Sequence, residues 1–158
     1  ALVTYEAALM ANKGQDRPDL DAITLANMAK VRAERGEDLL AVSLGESALT
    51  LAIDHAPEFV PEILARLSIA YVALSAHDRA TSALDRADEV LHDRETRKQA
   101  LSPGSSITVR IARGDLHEAQ GLRDDALRDW GEALTMAVEH DMTEVALDLR
   151  TKIGRAHV

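Results

Sequence analysis

The chain is 158 residues long, which corresponds to about one domain and is enough to bury a sizeable core. Its formal net charge is −9 with acids and bases interspersed, a surface that repels phosphate backbones, so we expect no direct nucleic-acid contact. The absence of cysteine excludes disulfides and thiolate chemistry. No apolar run approaches the roughly 18 residues of a membrane span, and no signal-peptide pattern is present. We therefore expect a cytoplasmic protein without membrane contact.

Aromatic residues make up only 3% of the chain, so the core must consist mostly of Leu, Ile, Val and Ala. Alanine has the highest intrinsic helix propensity, and its small side chain lets helix backbones approach closely. No stretch alternates apolar and polar residues between turn signals in the way that a strand does. The composition predicts an all-α protein.

The first third of the chain predicts three helices. Residues 1–12 form the first, and a second runs to Gly36 with Asp19 or Asp21 as its N-cap. A third helix over 37–55 has small and apolar residues at helical spacing.

The middle of the chain predicts a second helix pair followed by an interruption. Pro61 fits the first turn of a helix, and a turn at 75–77 precedes a helix that begins at Asp78. The apolar spacing lapses over 92–106, which predicts an extended helix end followed by a solvated loop, with a mobile lid over a binding surface as the alternative.

The last third predicts another pair and one further helix. Ser105 or Ser106 is the expected cap of a helix that contains Gly114, where close packing or a bend is expected because an interior glycine costs about 1 kcal/mol. A helix then runs from Asp124 to His140. Thr143 is the expected cap of a terminal helix ending at Gly154, with polar outer residues that include Glu144, Asp148, Arg150 and Lys152.

One pattern recurs along the chain. In each copy a small residue is followed four residues later by a residue whose size varies, and seven residues later by an alanine. All three positions lie on one helix face. The leading small residues are Ala1, Ala41, Ala80 and Ala126, at intervals of 40, 39 and 46 residues. The positions four residues after the last three are Gly45, Leu84 and Trp130, and the alanines seven residues on are Ala48, Ala87 and Ala133. Self-similarity at such a period indicates a repeat architecture, with Trp130 in the core.

This pattern resembles the tetratricopeptide repeat, in which a Leu-Gly pair and an aromatic three residues on lie in the first helix of each unit. Leu67-Ser68 with Tyr71 match those places, whereas Met28-Ala29 with Arg32 and Arg113-Gly114 with His117 match less well. The long period is similar to that of the looser arrays of bacterial transcription regulators. The resemblance implies an α-solenoid of antiparallel helix pairs over 1–14 (second helix only), 19–56, 60–92 and 105–140, with a capping helix at 143–154.

The resemblance also implies a concave partner-binding groove formed by the first helix of each pair. Carried over by register, the binding residues would be Ile23, Lys30, Glu62, Ile69, Ala73, Thr108, Ile111 and Asp115, with Ala33 and Ala65 beside them. An alternative is that these residues pack against a neighbouring helix or a second subunit. No Arg/Lys clamp for a terminal carboxylate is evident among them.

We found no sequence pattern for catalysis or for cofactor or metal binding. Phosphate-binding glycine loops, a helical zinc-protease motif and a nucleophile elbow are all lacking, and the six histidines are dispersed. Asp124 and Asp125 fit the first turn of a helix, where acids favour the dipole. We expect a non-enzymatic protein without metal or cofactor.

The expected function is therefore binding of a protein or peptide. By resemblance, the chain is the sensory or partner-binding part of a bacterial transcription regulator, and its start in mid-pattern without Met predicts a fragment of a longer protein. Two alternatives remain open. One is a homodimerisation module that uses exposed apolar residues such as Leu2 and Val3, and the other is an accessory helical domain of a multidomain enzyme.

Overall fold

The computed structural model describes residues 2–158, which form eight α-helices and one 3-10 turn, with no strand among them. The helices are α1 (Leu2–Lys13), α2 (Pro18–Glu34), α3 (Asp38–His55), α4 (Val60–Ala73), α5 (His77–Thr96), α6 (Ser105–Ala119), α7 (Arg123–Glu139) and α8 (Thr143–Ala156). The 3-10 turn, Pro57–Phe59, leads into α4, and Pro61 lies in the first turn of that helix as expected. The all-α prediction is confirmed. Ala1, the first position of the predicted repeat, lies outside the described residues.

Consecutive helices pack in pairs. The contacts within α2–α3, α4–α5 and α6–α7 run along the helices, while α1 packs on α2 and α8 on α7. Because only a tight turn joins the two helices of each pair, their directions are opposed. This arrangement is consistent with a helical repeat array.

The turns inside the three pairs have the same geometry. Gly36, Ser75 and Gly121 have φ values of +74°, +59° and +77°, the left-handed region expected of a helix end. The backbone N–H of the next residue donates to a carbonyl five residues earlier: Glu37 to Arg32 at 2.9 Å, Ala76 to Tyr71 at 2.8 Å and Leu122 to His117 at 2.8 Å. Glycine allows this conformation without steric cost at two of the three turns.

The small positions of the repeat lie in the interior. Ala41, Ala80 and Ala126 are at most 2% exposed, and Ala48, Ala87 and Ala133 are fully buried. The buried residues form two clusters, one spanning α2 to α6 and the other α6 to α8. Helix α6 therefore contributes to both cores, and the two parts of the array meet along it.

Two glycines allow close helix contacts. A Cβ on Gly45 of α3 would lie 2.7 Å from Cδ2 of Leu67 on α4, and one on Gly114 of α6 would lie 2.4 Å from the ring of Trp130 on α7. Trp130 is fully buried. The predictions of a core position for Trp130 and of close packing at Gly114 are confirmed.

The predicted N-caps are wrong at three helices. Helix α2 begins at Pro18 with Arg17 as its cap, so Asp19 and Asp21 lie inside the first turn. Helix α6 begins after Gly104, whose φ is +81°, and α8 begins after Met142. None of these caps makes a side-chain hydrogen bond, because Arg17, Gly104 and Met142 have no side-chain oxygen that could accept from the first N–H groups of the helix.

Helix α5 continues to Thr96 and a loop follows it, as predicted for the interruption over 92–106, whereas the predicted end of α8 differs from the structure. That loop is held by the N–H of Ser102, which donates to the carbonyl of Glu58 at 3.0 Å. Helix α8 passes through Gly154 and ends at Ala156. Among residues 2–158, no helix has the length and apolar character needed to span a bilayer.

Candidate functional site

A groove of about 480 Å³ crosses the first helices of the three pairs. Helix α2 borders it at one end and α8 at the other, and α4 and α6 form the floor between them. Such a volume lies within the roughly 300–1,000 Å³ typical of ligand-binding clefts. The candidate site is therefore a surface shared by several helices.

The floor of the groove is apolar. Ile69 and Ala70 of α4 lie beside Ile111 of α6, and α8 adds Val145 and Leu149. Ile69 and Ile111 are half-buried, which leaves part of each side chain open to a ligand. These residues offer apolar contact surface along the length of the groove.

At one end the groove deepens into a notch between α2 and α4. These two helices scarcely touch, whereas α4 and α6 pack closely. The groove therefore reaches past α2 and α4 to Ala41 and Gly45 of α3. Small side chains line the α2 side of this notch, and large ones line the α4 side: Ala26, Ala29 and Ala33 on α2, and Ile63 and Leu67 on α4.

A polar network anchors the other end of the groove. The indole N–H of Trp130 donates to Oδ1 of Asp115 at 3.0 Å, and the ammonium of Lys152 donates to the same oxygen. The Lys152 ammonium also lies 5.2 Å from the centroid of the Trp130 ring, within cation–π range. Asp115 thus connects α6 with α7 and α8, and its side chain is only 14% exposed. It holds the α8 wall in place.

The charged residues of the groove fall into a tied set and a free set. Arg66 pairs with Glu62 at 3.0 Å and Lys152 pairs with Asp115, so both cations are neutralised by a neighbouring carboxylate. Lys30 and Glu34 on α2 and Asp148 on α8 form no ion pair with any of residues 2–158. The free charges therefore stand at the two ends.

Five of the eight residues predicted to bind a partner border the groove, and these are Lys30, Ile69, Thr108, Ile111 and Asp115. The other three lie outside it. Ile23 is nearer the start of α2, Ala73 is exposed at the end of α4, and Glu62 is bonded to Arg66 and to the hydroxyl of Ser102. Ala65 is fully buried, and Ala33 does line the groove.

The prediction from the sequence did not include α8 among the helices that border the groove. Asp148 and Lys152 were expected on its outer side, but both border the groove together with Val145 and Leu149. The positions 145, 149 and 152 share one helix face by spacing, which was the available signal. That signal does not reveal what the face covers, because the placement of α8 depends on the turn after α7.

Other polar clusters lie away from the groove and join helices. The hydroxyl of Tyr71 donates to Glu46 at 2.8 Å, and Arg79 binds the same carboxylate while lying 4.6 Å from the Tyr71 ring. Burial raises the pKa of the Tyr71 hydroxyl, and the Glu46 carboxylate raises it further. On α6 and α7, Nδ1 of His117 lies 2.7 Å from Oδ2 of Asp129. Within residues 2–158 no three potential metal ligands cluster.

Leu2, one of the two residues suggested for a dimer contact, is buried, because α1 packs this side against the rest of the chain. Val3, the other, is 80% exposed. The predicted apolar contact surface is therefore only partly present.

Comparison with protein-family models, with curated proteins and with solved structures finds no match to this chain.

Proposed function

We propose that the chain is a non-enzymatic, tetratricopeptide-like helical array that binds a peptide or a protein segment in the groove across α2, α4, α6 and α8. The observation that carries the proposal is the continuous apolar floor of half-buried Ile69 and Ile111, bordered by charged residues at both ends. An apolar centre with a polar border is the usual organisation of a recognition surface.

The dimensions of the groove favour a chain segment as the ligand. Packed helices lie about 8–10 Å apart and α2 and α4 are separated by the notch, so a groove that crosses four helices is at least about 25 Å long. An extended peptide advances about 3.3 Å per residue, so roughly eight residues would span it. The ligand would contact all three pairs and α8 at once.

The resemblance to arrays of bacterial transcription regulators supports a more specific role. In that role the groove is the sensory or partner-binding part of a regulator, and a separate domain contacts DNA. This placement rests on the sequence pattern, whereas the binding role rests also on the groove.

The binding role is tested by selecting a display library of random peptides, each about twelve residues long so that it can cross the groove, on the immobilised protein. We expect enriched peptides that bind the wild type and lose at least about tenfold affinity for Ile111→Asp, because a buried carboxylate would lie against their apolar side chains. Leu147→Asp is the matched control, since Leu147 is an exposed leucine of α8 outside the groove. Circular dichroism establishes that both variants remain helical.

The proposal is wrong if no peptide is enriched, or if the enriched peptides bind Ile111→Asp and the wild type equally. If Ile111→Asp unfolds, Ile69→Asp and Thr108→Glu take its place at the same groove. Equal binding to those folded variants would also refute it.

One observation favours homodimerisation as a second candidate. Val3 and Met10 of α1 are 80% and 75% exposed and lie seven residues apart, on one face of the helix. If this face joins two copies, light scattering will show a mass that rises from monomer to dimer with concentration, and Met10→Glu will abolish the rise. A monomer at all concentrations up to the high micromolar range excludes it.

A further inference from the structure

The notch between α2 and α4 has the shape to hold a bulky side chain. Its α2 side consists of Ala26, Ala29 and Ala33, and its bottom is reached at Ala41 and Gly45 of α3. Small residues on two helices leave space that a neighbouring helix would otherwise fill, and α4 does not fill it because it scarcely touches α2. A large aliphatic or aromatic side chain of a ligand would find apolar surface on both sides of the notch.

The free charges around the groove are predominantly negative. With Arg66 tied to Glu62 and Lys152 tied to Asp115, Lys30 remains as the one groove cation without an ion pair among residues 2–158, against two free carboxylates, Glu34 and Asp148. Glu34 stands on α2 and Asp148 on α8, so a ligand lying in the groove has a carboxylate near each end.

The charge of the whole chain acts in the same direction. A net charge of −9 attracts a cationic segment and repels an acidic one, and it also opposes the approach of a second copy of the chain. Charge complementarity therefore favours a basic partner over self-association.

We propose that the segment bound by this groove is basic and apolar: a bulky aliphatic or aromatic residue enters the notch between α2 and α4, and flanking Lys or Arg residues lie against Glu34 and Asp148. This inference rests on the proposed peptide-binding function and specifies the chemistry of the ligand. The notch sets the size of the apolar residue, and the carboxylates at the two ends set the sign of the flanking charge.

The composition of the peptides selected from the random library tests this directly. We expect enrichment of Lys and Arg on either side of a Leu, Ile, Phe or Trp, and loss of affinity as salt is raised. Enrichment of acidic or uncharged peptides that still fail to bind Ile111→Asp would overturn the basic ligand while leaving the binding groove intact. A selection without any enrichment would overturn the proposed function itself.

A charge-matched pair of variants tests the position of the carboxylates. Glu34→Lys with Asp148→Lys changes the charge of the groove, whereas Asp54→Lys with Glu139→Lys makes the same change in net charge at exposed sites away from it. We expect the first double variant to weaken a selected basic peptide by about tenfold and the second by less than about twofold. Equal losses would mean that only the overall charge matters and would refute the assigned contacts.

Filling the notch tests the apolar anchor. Ala33→Leu places a larger side chain at the notch, and Ala73→Leu is the control because Ala73 is exposed on α4 outside the groove. We expect Ala33→Leu to reduce the affinity of selected peptides by about tenfold, since their bulky residue loses its space, and Ala73→Leu to leave it unchanged. If Ala33→Leu folds and binds as the wild type does, the anchor does not lie in this notch.

Discussion

The two junctions between successive helix pairs are built differently. At the first junction α4 packs mainly on α3 and scarcely on α2, whereas at the second α6 packs mainly on α4 and less on α5. The residue four places after the leading alanine is Gly45 in the first pair, and Leu67 of α4 occupies the space above it. In the third pair the same place holds Trp130, and the space is provided by Gly114 on α6 within the pair.

This difference shows how one repeat pattern produces two packings. Gly45 in the second helix of the first pair leaves space that Leu67 of α4 occupies, and the notch lies beside α2, which α4 scarcely touches. Trp130 in the second helix of the third pair is instead enclosed within its own pair, against Gly114 of α6. The same repeat position therefore meets a different neighbour in the first and the third pair.

The largest expected effect comes from removing the large residue of the third pair. Trp130→Ala would leave a cavity where a fully buried indole stood, and we expect a loss of about 3–5 kcal/mol in the free energy of unfolding. Urea denaturation followed by circular dichroism measures it. A loss below about 1 kcal/mol would contradict the central place of Trp130 in the second core.

The two glycines provide a direct contrast. Gly114→Ala places a methyl group against the rigid Trp130 ring, and overpacking of this kind costs about 1–3 kcal/mol. Gly45→Ala meets Cδ2 and Cγ of Leu67, whose side chain can rotate where the indole ring cannot, and the gain in helix propensity of about 1 kcal/mol offsets the contact. We expect the first variant to be destabilised and the second to be close to the wild type in urea denaturation.

Adding Gly114→Ala to Trp130→Ala extends the same contrast. With the ring absent, the alanine has space, so the extra cost of Gly114→Ala should vanish in a double-mutant cycle. Purely additive effects would show that the glycine and the tryptophan act independently.

Asp115 offers a smaller and more specific perturbation of the C-terminal part. Asp115→Ala leaves the buried Trp130 N–H without its acceptor, and we expect a loss of about 1–3 kcal/mol in the free energy of unfolding. Asp115→Asn keeps an acceptor oxygen and loses mainly the Lys152 ion pair, with an expected cost below about 1 kcal/mol. Asp148→Asn is the control, because it removes a carboxylate of the groove that forms no ion pair. Equal losses in the free energy of unfolding for the two Asp115 variants would assign the effect to the ion pair.

The smallest expected effect is a dependence on alkaline pH at the first junction. The pKa of the Tyr71 hydroxyl is raised in the folded chain by burial and by Glu46, so the folded state holds this proton more tightly than the unfolded state. The stability it contributes is complete below the ordinary tyrosine pKa of about 10 and is lost as pH rises through the higher folded value. In Tyr71→Phe, the free energy of unfolding measured with urea should fall less steeply as the pH rises above about 10 than in the wild type. An equal fall in the two proteins would contradict this.

Part of the fold was predictable because its signals are local. Gly36 and Gly121 mark helix ends through their own backbone freedom, and Ala41, Ala80 and Ala126 mark the buried face by spacing. The caps were not predictable from Asp19 or Thr143, because the helices begin one position after Arg17 and Met142, which are not residues that favour a cap.

The groove was predictable where it follows the repeat. Lys30, Ile69 and Asp115 hold corresponding places in α2, α4 and α6, eleven residues before the leading alanine of each pair, so the register brought them to one surface. Ile23 and Ala73 were expected at the groove but do not line it, because the repeat position of a residue does not show where the groove ends along a helix.

The sequence by itself determined the helices, their turns and the small residues through which they pack, because each depends on residues within one or two turns of one another. Only the tertiary structure decided which helices touch, that a gap remains between α2 and α4, and that Lys152 of α8 reaches Asp115 of α6. Those outcomes depend on the fit of side chains far apart in the chain, such as Leu67 against Gly45, where small differences in size shift whole helices.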